Sequence, residues 1–214
     1  MRFILFKFHA AWLFSVFFIS TNLFGDQVFR DEYQNEIRIS VAKSIQDIDL
    51  DRARDILVKS FMDGYEDVPL VELSPQFRSI GDVRRFYEEY FKEELAHFEE
   101  GHLFWTQAFL NNKLVGWATF ELESQEADAA YMNLLIVDPE YQRMGFGKRL
   151  TFSICSEELF SNIQAINLLI RKINLDGYDF YYKIGFFEYD YHRDNFVDSS
   201  LLTGLRWEKT ASKL

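Results

Sequence analysis

The stretch Val137-Asp138-Pro139-Glu140-Tyr141-Gln142-Arg143-Met144-Gly145-Phe146-Gly147-Lys148 organises the reading of this chain. An apolar run, Leu134 to Val137, leads into it, and residues at helical spacing from Phe146 to about Phe160 lead out. Strand, tight glycine turn, helix start is the architecture of a phosphate cradle. Gly145 and Gly147 let the backbone come close to an anion. The first N–H groups of the helix have no partner of their own, and the positive end of its dipole adds to their pull. Two familiar phosphate loops are excluded by spacing. Leu150 stands where a dinucleotide fingerprint needs its third glycine. A P-loop needs an earlier glycine before Gly147-Lys148, and Arg149 replaces its Ser or Thr. What remains is a cradle for one pyrophosphate, without evident magnesium ligands.

Outward from that turn the elements follow from periodicity. Before it, Glu36 to Ala42 alternates as a strand. Ile48 to Phe61 recurs at helical spacing after a cap at Ser44, and Gly64 ends it. Tyr65 to Ser79, with Pro69 and Pro75, reads as a loop. A second amphipathic helix runs from about Asp82 to Phe98, with Tyr90, Phe91 and Leu95 on its apolar stripe, and ends at Gly101. His102 to Leu110 and Leu114 to Leu122 form a hairpin around Asn111-Asn112-Lys113, and Ala129 to Val137 is a third strand. After the glycine-turn helix come a buried strand, Ala165 to Ile173, and a short helix, Leu175 to Ile184. Two last strands, Phe186 to His192 and Leu202 to Lys209, close the chain. The order β-α-α-β-β-β-α-β-α-β-β describes one mixed α/β domain with a largely antiparallel sheet and helices on its faces. The strands flanking the glycine-turn helix should be parallel neighbours.

Bulk properties narrow the functions. With 214 residues, 48% of them hydrophobic, the chain can bury a sizeable core. Its net charge of −11 speaks against nucleic acid, whose backbone calls for clustered Lys and Arg. The acidity either keeps the protein soluble or attracts a cationic molecule. Cys155 is the sole cysteine, so intrachain disulfides and cysteine-based metal sites are excluded; a small buried hydrophobe is its ordinary role. Residues 1–25 carry Arg2 and Lys7 before an apolar run, and Asp26 follows. This pattern fits a signal peptide, an uncleaved membrane anchor or a hydrophobic helix packed on the domain. Export or anchoring follows from the first two and a cytoplasmic chain from the third, and any membrane contact is confined to residues 1–25.

At this point the chain resembles the GNAT superfamily of N-acetyltransferases. Gln142-Arg143-Met144-Gly145-Phe146-Gly147 matches that family's acetyl-CoA signature, Q/R-x-x-G-x-G/A. Downstream, Asn174-Leu175-Asp176-Gly177-Tyr178-Asp179-Phe180-Tyr181-Tyr182-Lys183-Ile184-Gly185-Phe186 follows the family pattern N-x-x-A-x-x-x-Y-x-K-x-G-F, departing only at Gly177. The resemblance covers about Glu36 to Lys209, a domain taken as residues 36–210. It implies acetyl-CoA as acyl donor, no metal, and transfer to a primary amine by direct attack. The implied donor site comprises Gln142, Arg143, Met144, Gly145, Phe146, Gly147, Lys148 and Asn174, with the backbone of Leu135, Ile136 and Val137 holding the oxyanion. Tyr181 matches the usual general acid, and a phenol near pKa 10 is reasonably matched to a thiol. Asn174 also fits a helix cap, and both roles are compatible.

The base that frees the amine is not legible. Family members place a glutamate where this chain has Tyr131 or Leu169, so both acids are absent. Tyr131, Asn133, Glu121 and Glu123 remain as candidates by strand position, beside an ordered water. His192, near the last strands, reads as a surface or packing histidine. The acceptor is expected near Met62 to Ser74, where Asp63, Glu66, Asp67 and Glu72 suit a cation such as a polyamine, aminoglycoside, lysine side chain or peptide N-terminus. The competing reading is an exported or anchored acyl-CoA-binding module that keeps the fold without catalysis. The oligomeric state is open, a homodimer included.

Overall fold

The computed structural model describes residues 26–31, 35–155, 162–191 and 201–209. Along them run β1 (Gln27–Arg30), β2 (Glu36–Val41), α1 (Leu50–Gly64), α2 (Leu70–Leu73), α3 (Ile80–Glu99), β3 (Phe104–Leu110), β4 (Lys113–Leu122) and β5 (Ala129–Val137). Then follow α4 (Phe146–Ser153), β6 (Ala165–Arg171), α5 (Leu175–Lys183), β7 (Phe187–Glu188) and β8 (Leu202–Glu208). The strands form one sheet in the order β1-β2-β3-β4-β5-β6-β8-β7. Every neighbouring pair is antiparallel except β5 and β6, the pair that flanks α4. This is the mixed, largely antiparallel α/β architecture expected from the element order.

Local chemistry sets the element ends. Asn111 and Asn112 take φ of 48° and 65°, the left-handed geometry of a two-residue hairpin turn between β3 and β4. Ser79 and Asp82 close a reciprocal capping box at the start of α3, and Gly101, at φ 79°, follows its end. The cap of α1 is Asp49, whose carboxylate accepts the Arg52 N–H at 3.1 Å. Ser44 instead opens a separate 3-10 turn, Ile45–Asp47, so the cap assigned to it belongs five residues on.

Alternation along the strands splits the interior into two cores. Val115, Ala118, Phe120, Ala130, Met132, Ile166 and Leu168 pack with Phe146, Leu150 and Ile154 of the α4 side. Trp105, Trp117 and Ile136 pack on the opposite face with Ala53, Ile56 and Leu57 of α1 and Val83, Tyr87 and Phe91 of α3. The Trp105 and Trp117 rings stack at 4.4 Å, and Phe91 meets both at 6.0 Å.

Four features depart from the sequence reading. β1 was not foreseen; it pairs with β2 at the sheet edge and buries Phe29. The loop Tyr65 to Ser79 contains the short helix α2. Helix α4 ends at Ser153, with Ile154 and Cys155 in a turn, and the expected extension to Phe160 lies outside the described residues. The strand expected over Phe186 to His192 is the two-residue β7, and His192 is outside the described residues, as are residues 1–25. Among the described residues no helix is long and apolar enough to cross a membrane.

Candidate active site

β5 and β6 pair over only three positions, Ala129, Ala130 and Tyr131 against Ala165, Ile166 and Asn167. β5 continues to Val137 and β6 to Arg171, so the parallel strands part after Tyr131 and open a wedge-shaped gap. A bulge bends β5 where they part. Phe120 faces Met132 while Thr119 faces Leu134, leaving Asn133 as the extra residue. Past the bulge the Asp138 N–H bonds Val115 O at 2.9 Å. Alternation then turns Ile136 toward its β4 partner Trp117, and the N–H groups of Leu135 and Val137 face the gap. Of the three residues expected to supply backbone donors, Leu135 and Val137 thus turn their N–H groups to the gap and Ile136 turns its own to β4.

The glycine turn lies at the end of β5. Gly145 is the N-cap of α4, with φ 86° and open space where a Cβ would stand. No side chain caps this helix. Helical geometry therefore leaves the N–H groups of Phe146, Gly147 and Lys148 without an intrahelical acceptor. Gly147 has a different task from its neighbour. A Cβ there would stand 3.1 Å from the Phe180 ring, so it permits close packing of α4 on α5. Arg143 also has positive φ, 63°, and with Gln142, Met144 and Lys148 it is exposed beside the turn. Phe146 is buried in the core and offers the turn only its backbone. Gln142 folds back, its amide donating to Val137 O at 3.2 Å, and the Ser60 hydroxyl donates to the same oxygen at 3.2 Å. The cradle fits an anion: a left-handed glycine, open helix donors and two exposed cations converge on one turn.

Asp138 anchors this turn to α1. It is 1% exposed, caps the turn Pro139–Tyr141 and accepts hydrogen bonds from Arg52 and, at 3.3 Å, Lys59. Burial alone pushes its carboxyl up, but the Glu140 N–H, Arg52 and Lys59 outweigh that and hold it below the usual carboxylate range. Lys59 also bonds Glu140 at 2.8 Å. The sequence shows Asp138 as part of the lead-in; its cationic partners are more than 75 residues away and carry no local signal.

At the other side of the gap, Asn174 caps α5, its side-chain oxygen accepting the Gly177 N–H at 2.9 Å. A Cβ on Gly177 would stand 2.7 Å from both the Asn174 amide and Ile170, which accounts for glycine at this position. Tyr181, one turn further on, packs edge-on against Phe186 at 5.2 Å and against the α4-side core. Burial first, and then the nearby Tyr131 hydroxyl, push its phenol well above the ordinary tyrosine range. It is thus a standing O–H donor. Cys155 is half-buried, and burial pushes its thiol up to about 11, which leaves little nucleophilic thiolate at neutral pH.

The model of the acetyltransferase (GNAT) family matches residues 68–186. The chain belongs to the acetyltransferase (GNAT) family. It is therefore an acyltransferase by family, and solved structures carry the same fold. The PaiA N-acetyltransferase of Thermoplasma acidophilum, in complex with coenzyme A, has a TM-score of 0.60 at 20% identity over 79% of this chain and 98% of that one. PH1933 of Pyrococcus horikoshii OT3 scores 0.54 at 17% identity, over 81% and 99%. The ribosomal-protein-S18-alanine N-acetyltransferase of Escherichia coli scores 0.52 at 18%, over 82% and 98%. No curated protein matches the chain.

In this GNAT chain the α3 face of the gap is polar. Asn133 donates to Glu121 at 2.8 Å. Glu123 accepts from Tyr191 at 2.5 Å and from Asn167 at 3.2 Å, and the Tyr131 and Tyr191 rings stack at 5.6 Å. Glu94 of α3 joins them, 4% exposed, with the Thr119 hydroxyl donating to it at 2.5 Å. Sequence reasoning missed Glu94, although it stands one turn from Phe91 and two from Tyr87 on the buried stripe of α3, where an acid is out of place. Asp63, Glu66, Asp67 and Glu72 are all exposed. Their loop is fastened to the end of β6 by Arg171, which donates to Leu73 O.

Proposed function

We propose that the protein is an N-acetyltransferase that moves the acetyl group of acetyl-CoA to a primary amine by direct attack. The observation that carries this reading is the parting of β5 from β6 at a bulge, with two inward-facing amides on one side and Tyr181 on the other. The uncapped start of α4, with Arg143 and Lys148 beside it, suits the donor's pyrophosphate, while the strand edge at Leu135 and Val137 offers donors to its extended arm.

The thioester supplies the activated acyl carbon, and the chain's own residues supply position and charge. As the amine nitrogen bonds to that carbon, negative charge grows on the carbonyl oxygen, and the fixed N–H groups of β5 stabilise it. The carbon–sulfur bond then breaks. Tyr181 donates its O–H to the departing sulfur. Because its phenol sits above the thiol range, hydrogen bonding contributes more than complete proton transfer. The amine must shed one proton. A cationic acceptor suits the acidic loop Met62 to Ser74 and the polar α3 face.

Calorimetry with acetyl-CoA, followed by thiol release across polyamines, aminoglycosides, lysine peptides and free peptide N-termini, tests this. Binding with release for at least one amine class is expected. Absence of binding overturns the reading, and binding without release across the panel favours the non-catalytic module.

A further inference from the structure

Arg171 ends β6 at the open end of the gap. Ile166, Leu168 and Ile170 of the same strand lie in the α4-side core, so alternation turns Arg171 to the face of α1 and α3. Its Nη1 donates there to the backbone oxygen of Leu73. That hydrogen bond uses one of the five N–H donors of a guanidinium. Among the described residues the group finds no counter-charge. Arg38 and Arg52, also half-buried, each pair with a carboxylate, and Arg149 lies over the Phe29 ring at 4.4 Å. Arg171 has neither kind of partner. Tyr65 and Tyr87 are within its electrostatic reach, but burial outweighs its pull and pushes both phenols up, so neither is an anion. The acids of the neighbouring loop, Asp63, Glu66, Asp67 and Glu72, are exposed and do not close on it. A chain with a net charge of −11 thus leaves one half-buried cation unmatched, although desolvating a charge without a partner is costly.

The height of Arg171 along the sheet matters as much as its charge. It stands as far along β6 from Asn167 as Leu135 stands along β5 from Tyr131, and Tyr131 with Asn167 is the last pair before the strands part. The two residues therefore flank the gap at nearly one level, the bulge at Asn133 shifting β5 by a single residue. Leu135 offers its N–H to the thioester carbonyl, and an amine approaching that carbonyl from the α1 and α3 face passes the guanidinium. We infer that Arg171 selects an acceptor whose primary amine carries a carboxylate a few bonds away, such as an amino acid or a peptide with an acidic first residue. The inference rests on the acetyltransferase reading above and deepens it. The planar fork of N–H groups matches the two oxygens of a carboxylate. A phosphate fits the same fork but brings a second negative charge beside an acidic loop, which favours the carboxylate. The loop acids then meet the ammonium form of the acceptor before it sheds its proton, so the acceptor is zwitterionic rather than merely cationic. Arg171 binds the acceptor's anionic group and takes no part in moving protons.

Matched acceptors test this: an amino acid against its own amide, and a peptide beginning with aspartate against the same peptide beginning with asparagine. In the wild type, kcat/KM should favour the carboxylate member of at least one pair by about 10- to 100-fold. R171Q should bring that ratio to within about threefold of unity, while the acetyl-CoA Kd stays within about twofold. R171K keeps the charge but loses the fork, and should hold an intermediate ratio. A ratio is read because Arg171 also fastens Leu73. A loosened loop slows both members of a pair and leaves their ratio unchanged. If R171Q does not fold, the wild-type ratios and R171K carry the test. Ratios near unity for both pairs in the wild type overturn the inference, as does an R171Q that slows both members alike. Preference for an aminoalkyl phosphate over the amino carboxylate of the same chain length overturns the choice of carboxylate. Transfer to plain amines at ratios near unity removes this inference alone. A wild-type protein that binds acetyl-CoA but releases thiol with no amine, with or without a carboxylate, removes the acetyltransferase reading itself.

Discussion

Gly145 and Gly177 are glycines for different physical reasons, one conformational and one steric. Gly145 has room for a Cβ but holds φ at 86°, so Gly145→Ala should cost about 1–2 kcal/mol through left-handed strain. Gly145→Asn should cost less, because asparagine tolerates that region better. Equilibrium urea unfolding of both variants checks the order. Gly177→Ala meets the Asn174 amide and Ile170 at 2.7 Å and should cost about 1–3 kcal/mol as overpacking, with the same measurement as its check. Tyr181→Phe removes the hydroxyl and keeps the ring that packs on Phe186. Turnover should drop about 10²-fold or more with acetyl-CoA affinity nearly intact. Steady-state kinetics beside calorimetry checks this, and an equal loss in both would make Tyr181 a packing residue. Because burial raises the Tyr181 phenol, its ionisation should not limit the rate at or below about pH 10.

Among elements, the join between α1 and the turn after β5 is the most specific. Asp138, buried, binds Arg52 and Lys59 of α1 and caps its own turn. Asp138→Asn leaves those cations without their buried counter-charge. Since both are partly exposed, a loss of about 2–3 kcal/mol is expected, at or below the usual range for breaking a buried pair. Asp138 has a depressed folded pKa. Its contribution is therefore complete above about pH 4 and fades as pH falls through the folded value. The stability gap between wild type and Asp138→Asn, followed by denaturant unfolding, should be constant from about pH 5 to 8 and close in stronger acid. Acetyl-CoA affinity should weaken in the same variant, because the turn that bears Gly145 loses its tether.

For the whole molecule the decisive fact is one sheet shared by two cores. Trp117 is fully buried on the α1 and α3 face, and Phe120 fully buried on the α4 face of the same strand. Truncating either to alanine should cost about 3–5 kcal/mol. Both faces should still unfold together, since neither core exists without β4. Tryptophan fluorescence and far-ultraviolet dichroism should give coincident urea transitions in wild type and both variants, Trp105 remaining as a reporter on the α1 and α3 face when Trp117 is removed. Separate transitions would show that the faces are independent units.

Legibility followed the range of the forces involved. Helical and alternating periods, the turn at Asn111-Asn112 and the left-handed Gly145 are each decided within a few residues, so the element order and the glycine turn were readable. The spacing of Asn174 and Tyr181 was readable for the same reason. β1 was not, because a four-residue edge strand has too short a pattern to stand out and owes its form to β2. The sequence by itself determined which residues are available: the glycine turn, a phenol on the last described helix and a cationic rim. Only tertiary structure decided how they act. Where β5 leaves β6, which of Leu135, Ile136 and Val137 turns its amide inward, how Arg52 and Lys59 reach Asp138, and why Glu94 meets Thr119 all depend on pairings between distant segments. Such pairings are set by sheet register and the burial of whole faces, and neither leaves a mark in any local stretch of chain.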